Sequence, residues 1–167
     1  MRPFGSSSPA DESEELVIAP ARLPDLWPVG RIQRRAFKPR LAYGFGTLLM
    51  LWMLPGVQFL VARRAGTVVG CVLGDRHQGQ ARVVNLAVDP ILRRHGIGRA
   101  LLAALESAIP EGNAVLMVEQ ENAAARALYT ASGYAEVRQA WDYYGRGRHG
   151  VWMEKRRTGE PSPVVRV

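Results

Sequence analysis

Apolar positions along the chain alternate between short continuous or period-two runs and stretches at helical spacing. A short apolar strand at Leu16 to Ala19 is followed by Leu23 to Phe37, where Leu26, Val29, Ile32, Ala36 and Phe37 recur at the 3.6-residue period of a helix. A second helix fits the apolar stretch Gly44 to Leu54, stopped by Pro55-Gly56. Gln58 to Arg63 and Thr67 to Gly74 then read as a hairpin turning at Ala65-Gly66. The polar run DRHQGQ connects to a strand at Val83 to Val88. An Ala/Leu helix spans Ile97 to Ile109 and ends at Pro110 and Gly112. Ala114 to Val118 is the next strand and Asn122 to Ser132 the next helix, with Gly133 as its stop; Tyr134 to Trp141 and Gly150 to Lys155 are the last two strands. The order βααβββαβαββ, with helices on both faces of a mixed sheet, is an α/β architecture.

The segment Thr47 to Ala62 raises a membrane question. It falls short of the roughly 20 residues a span requires, is broken by Pro-Gly and is followed by Arg63 and Arg64. A buried or partner-facing helix is expected; an exposed apolar face there would mark a dimer, protein-substrate or membrane-surface contact. Residues 1–14, rich in Ser, Pro and acids without an apolar core, read as a flexible leader. Residues 157–167 read as a flexible tail, leaving one domain over 15–156.

A chain of 167 residues with 47% hydrophobic content supports one compact core. The single cysteine, Cys71, sits in an apolar run and reads as buried and reduced, which fits a cytoplasmic setting. His77, His95 and His149 are scattered without companions at ligand spacing, so no metal is expected. The net charge of +7 leaves basic clusters at Arg31, Arg34, Arg35, Lys38 and Arg40 and at Lys155, Arg156 and Arg157. No aromatic-interleaved basic motif specifies nucleic acid, and a solvated basic face is the simpler reading.

The most informative stretch is Asn85 to Leu105, a strand, an Asp-Pro, a loop of arginines and glycines, then a helix. Backbone N–H groups at a helix start have no partner within the helix, and the macrodipole adds partial positive charge there. Gly96 and Gly98 bring the main chain within reach of a phosphate, while Arg93, Arg94 and Arg99 add full charges. Position 101 is Leu, so the dinucleotide fingerprint GxGxxG is not met, and GxxxxGK[ST] does not occur.

With LMVEQENAAARALYTASGY at Leu116 to Tyr134, this stretch resembles the GNAT superfamily of acetyl-CoA-dependent N-acetyltransferases. Arg93, Gly96 and Gly98 match its [Q/R]xxGxG/A loop, and the second block matches LxVxxxNxxAxxLYxxxGF. The resemblance implies a mixed, mostly antiparallel sheet of about seven strands flanked by helices, with two parallel strands splayed into a V-shaped cleft for CoA. Main-chain groups of Leu86, Ala87 and Val88 would bond the pantetheine arm, and the loop Arg93, Arg94, His95, Gly96, Ile97, Gly98 and Arg99 would take the pyrophosphate. Asn122 would bind on the pantetheine side, and also reads as a helix cap. Tyr129 would lie near the sulfur as general acid to the departing thiolate, although LY at that helical position also suits core packing. The Val88 N–H would polarise the thioester carbonyl.

Within the superfamily the pattern is most similar to RimI-like protein N-terminal (ribosomal-protein-alanine) acetyltransferases, through AxxLYxxxGY and the pair Tyr143-Tyr144. In that branch the paired tyrosines contact the substrate N-terminus; two aromatics beside a turn also simply pack. The chain departs from the pattern at Met117, where the branch carries a Glu as general base. Glu119, two residues on along the same face, is the candidate base, with Glu121 and His149 behind it. The acceptor implied is the α-amine of a protein or peptide N-terminus. Lysine side chains and small-molecule amines stay open, as does a non-catalytic CoA-binding sensor; a homodimer is possible.

Overall fold

The structure is a computed structural model and describes residues 15–157. Seven strands form one sheet: β1 (Leu16–Pro20), β2 (Gln58–Arg64), β3 (Thr67–His77), β4 (Gln80–Val88), β5 (Ala114–Glu119), β6 (Ala135–Ala140) and β7 (Gly150–Lys155). Their spatial order is β1-β2-β3-β4-β5-β7-β6, and only the central β4–β5 pair is parallel. Four helices, α1 (Leu26–Ala36), α2 (Phe45–Met53), α3 (Ile97–Ala108) and α4 (Ala123–Ala131), complete the expected order.

Strand alternation splits the apolar residues between two cores. Phe59, Val61, Cys71, Leu73 and Ala87 point to one face and are covered by Leu26, Val29 and Ile32 of α1 and Leu48 of α2. Leu60, Ala62, Val72, Val83 and Leu116 point to the other, against Leu101, Leu102 and Leu105 of α3 and Tyr129 of α4. Two glycines of β3 let α3 sit close. A Cβ at Gly70 would stand 3.0 Å from Leu101 Cδ1, and one at Gly74 would stand 2.6 Å from Leu105 Cδ2. Cys71 is fully buried, as expected, and burial pushes its thiol pKa up to about 12.

Two expectations are corrected. The run DRHQGQ is mostly strand: β3 continues to His77, turns through Gln78-Gly79 and pairs His77 with Gln80. Arg82 donates through Nε and Nη2 to both carboxylate oxygens of Asp75 at 2.9 and 2.5 Å, so the polar residues form a cross-strand ion pair. Arg157, expected to open the tail, is anchored: its N–H donates to Asn113 Oδ1 at 3.1 Å and its guanidinium donates to the Ile109 carbonyl. The expected leader, 1–14, and the rest of the tail, 158–167, lie outside the described residues.

The α2 helix has a single buried residue, Leu48. Among the described residues no helix is long and apolar enough to cross a membrane.

Candidate active site

The site begins where the two parallel strands part. β4 and β5 pair only from Ala81–Ala114 to Val83–Leu116. Beyond that, β4 carries an extra residue, Val84, between the Gly74–Val83 and Leu73–Asn85 pairs, and this bulge turns the strand. On the far side of β4 the Asp89 N–H donates to the Val69 carbonyl at 2.9 Å, making Gly70–Val88 a non-hydrogen-bonded pair. Backbone groups of Leu86 and Val88 therefore face the gap. Those of Ala87 face β3, so of the three expected to meet the pantetheine arm, Ala87 has its main-chain groups turned to the neighbouring strand.

The gap opens into two adjoining cavities of about 470 and 490 Å³ that share Ala36, Phe37, Leu86, Asn122, Ala125 and Leu128. One is floored by the glycine loop. Arg93, Arg94, Gly96, Ile97, Gly98 and Arg99 line it, together with Ala87 and Val88. Arg94 and Gly96 both have left-handed backbone, φ 66° and 76°, and α3 starts with no side-chain cap, so its first N–H groups are available to an anion. Arg93 reaches the Ala36 carbonyl at 3.4 Å and Arg99 the Ala131 carbonyl at 3.1 Å, bracing the loop against α1 and α4. His95 is not in the lining; its Nδ1 contacts the Leu92 and Arg93 carbonyls at 3.3 and 2.9 Å. Gly98 serves packing as well, since a Cβ there would stand 3.1 Å from Leu128 Cδ2.

The second cavity gathers Tyr129, Met117, Glu119, Glu121, Asn122 and Tyr144. Tyr129 is buried, and desolvation pushes its pKa up to about 12, so it holds its proton at neutral pH. Asn122 caps α4, its side chain accepting from the Ala125 N–H at 3.1 Å. Tyr144 donates to the Met117 carbonyl at 3.0 Å and its ring meets Tyr143 edge-on, with centroids 4.9 Å apart. Tyr143 is exposed and does not line either cavity. Glu119 accepts from Arg148 Nε at 2.8 Å, and that bond, with the Arg148 charge and Lys38 nearby, holds its carboxyl below the usual range. His149 is elsewhere: its Nδ1 accepts from the Asp142 N–H at 3.0 Å and its ring packs against Trp141.

An uncapped helix start behind a glycine loop, a splayed parallel pair and a buried tyrosine line one continuous opening. The chain matches the acetyltransferase (GNAT) domain over residues 55–136. It is 34% identical over 145 residues to an uncharacterized N-acetyltransferase of Methanocaldococcus jannaschii, covering 84% of this chain and 92% of that one. The chain belongs to the GNAT N-acetyltransferases. A second relative, the N-alpha-acetyltransferase RimI of Mycobacterium tuberculosis, is 33% identical over 112 residues, 65% of this chain and 71% of the other. The crystal structure of the ribosomal-protein-S18-alanine N-acetyltransferase from Escherichia coli superposes with a TM-score of 0.76 at 25% identity, covering 89% of this chain and 99% of that one. The protein is thus an acetyl-CoA-dependent acyltransferase with the GNAT fold, a mixed, largely antiparallel open sheet.

The structure adds cavity walls to this GNAT site that sequence reasoning missed. Lys38, Arg40, Leu41 and Tyr43, from the loop between α1 and α2, line the second cavity, as does Asn85 beside the bulge. Asn85 Oδ1 accepts from Gln33 Nε2 at 2.6 Å, and Gln33 is fully buried on α1. A signal was present: Asn85 and Gln33 are polar residues at positions where the apolar pattern expects core. No group of three or more His, Cys, Asp or Glu placed to hold a metal occurs among the described residues.

Proposed function

We propose that this enzyme acetylates the α-amine of a protein or peptide N-terminus. The observation that carries the reading is the acceptor cavity, which holds Met117 and an Arg148-paired Glu119 where a strong base would otherwise stand. At pH 7.5 an α-amine with pKa near 7.7 to 8 needs only about 0.3 to 0.7 kcal/mol to become neutral, whereas a lysine near 10.4 needs about 4. A cavity without a strong base therefore favours α-amines. The relatives named for N-alpha and ribosomal-protein-alanine acetylation support the same reading.

In this proposal the pyrophosphate of acetyl-CoA rests on the Arg93–Arg99 loop and its pantetheine arm bonds Leu86 and Val88 as an added strand. The Val88 N–H donates to the thioester carbonyl. The neutral amine attacks the carbonyl carbon, giving a tetrahedral oxyanion; its collapse breaks the C–S bond and Tyr129 gives its proton to the departing thiolate. The surplus ammonium proton leaves through water, and Tyr129 is reprotonated from solvent. Tyr144 orients the acceptor amine, with Tyr143 at the cavity rim. Glu119, kept anionic by Arg148, anchors the incoming ammonium and is a weak proton acceptor.

The test is free-thiol release from acetyl-CoA with short peptides of different N-termini, an N-terminally blocked lysine peptide and spermidine. Turnover confined to free N-termini is expected. Faster turnover on lysine or spermidine overturns the acceptor assignment, and acetyl-CoA binding without any turnover overturns catalysis itself in favour of a sensor.

A further inference from the structure

The α2 helix is apolar on its exposed side as well as its buried one. Phe45, Met50, Met53 and Leu54 stand in solvent, with Met53 68% exposed, and Thr47 is the only hydroxyl-bearing residue of the helix. Trp27, 68% exposed at the start of α1, meets Phe45 edge-on with ring centroids 6.2 Å apart and extends the patch. A helix apolar all round is normally buried, so this face calls for a cover.

Charge identifies the cover. Seven cations and no acidic residue lie between Leu26 and Gly74, so the chain's excess of 22 basic over 15 acidic residues is carried by this stretch and the remainder balances. Arg35 and Arg63 pair with Asp89 and Asp25; Arg31, Arg34, Lys38 and Arg40 have no acidic partner among the described residues. Arg31 and Arg34 follow Trp27 at four and seven residues, on the same stripe of α1. Arg34 Nη1 and Leu48 Cδ1 each lie 3.7 Å from where a Gly30 Cβ would stand, which sets that guanidinium beside α2.

We propose that this face docks on an anionic lipid surface, with Trp27, Phe45, Met50, Met53 and Leu54 entering the boundary between headgroups and acyl chains while Arg31 and Arg34 meet the phosphates. A second copy of the chain is the poorer occupant. A two-fold contact buries the same patch on both protomers, setting Arg31 and Arg34 of one, which have no acidic partner among the described residues, against the same cations of the other. Docking in this way sets the loop that walls the acceptor cavity, residues 38–43, next to the membrane.

The test is flotation of the full chain with vesicles of phosphatidylcholine alone or mixed with phosphatidylglycerol. Binding to the mixed vesicles is expected, with a blue shift in tryptophan emission that Trp27→Phe removes. Met50→Gln/Met53→Gln, which leaves the charge unchanged, and Arg31→Gln/Arg34→Gln should each weaken binding about tenfold or more. Both retain vesicle-free thiol release, which shows that they fold. Undiminished binding of the methionine variant overturns the proposal, because it reports only general attraction of a basic protein. Absence of binding, or a dimer in sedimentation equilibrium that needs Met50 and Met53, also overturns it.

Discussion

The Tyr144 hydroxyl donates to the main-chain carbonyl of Met117 across 3.0 Å, fastening the loop before β7 to the strand edge that walls the proposed acceptor cavity. Burial beside Tyr143 and Glu119 raises the Tyr144 pKa, so the phenol stays protonated and its oxygen can accept from the substrate amine. Tyr144→Phe removes both bonds and keeps the ring. Loss of about 1 kcal/mol of net hydrogen bonding corresponds to a rise of roughly fivefold in KM for the acceptor peptide. KM for acetyl-CoA should not move, and steady-state kinetics in both substrates separates the two.

Tyr129 makes the converse prediction. In the proposed role of general acid it acts on the leaving group, so Tyr129→Phe should lower kcat by about 100-fold and leave acetyl-CoA affinity, read by calorimetry, nearly intact. With its pKa near 12, the wild-type phenol keeps its proton up to pH 10. No loss of rate on the alkaline side is expected below that pH; a basic limb near pH 8 assigns the acid to another group.

The proposed phosphate role of the glycine loop is tested by Arg93→Glu. Replacing a cation on the cavity floor with an anion should raise KM for acetyl-CoA at least about tenfold while leaving the peptide KM in place. Higher ionic strength should weaken wild-type cofactor binding more than that of the variant. Equal salt dependence would place the pyrophosphate elsewhere.

Much of this site was legible in the chain because its parts are local. A strand, a glycine loop and a helix start contiguous in sequence fix an uncapped helix N-terminus without tertiary information, and Asn122 caps its own helix three residues on. What escaped depends on partners far away in sequence. The Asp75–Arg82 pair turns a polar run into a hairpin, and the Gln33–Asn85 bond joins positions 52 residues apart. The direction of each main-chain group on β4 follows from pairing with β3, which no periodicity reveals. His95 sits inside the loop motif, yet its ring folds back on the Leu92 and Arg93 carbonyls.

Glu119 supplies a prediction in pH. Its folded pKa lies below the ordinary carboxylate value of 4.5 because Arg148 bonds and neutralises the ionised form. The unfolded state therefore binds the proton more readily. The stability gained from this group is fully present above its unfolded pKa and is lost as pH falls through the depressed folded value. Glu119→Gln keeps the shape and deletes the titration, so it should melt lower than wild type at pH 7, with the gap closing as the pH drops below about 4. In catalysis the same depressed pKa argues against Glu119 as the base that sets the rate at neutral pH. The acid limb of kcat/KM should follow the substrate amine near pH 8 and stay there in Glu119→Gln, with only the acceptor KM raised. A limb that moves with the substitution would restore Glu119 as the proton acceptor, and thermal melts paired with pH-rate profiles on the same two proteins decide both points.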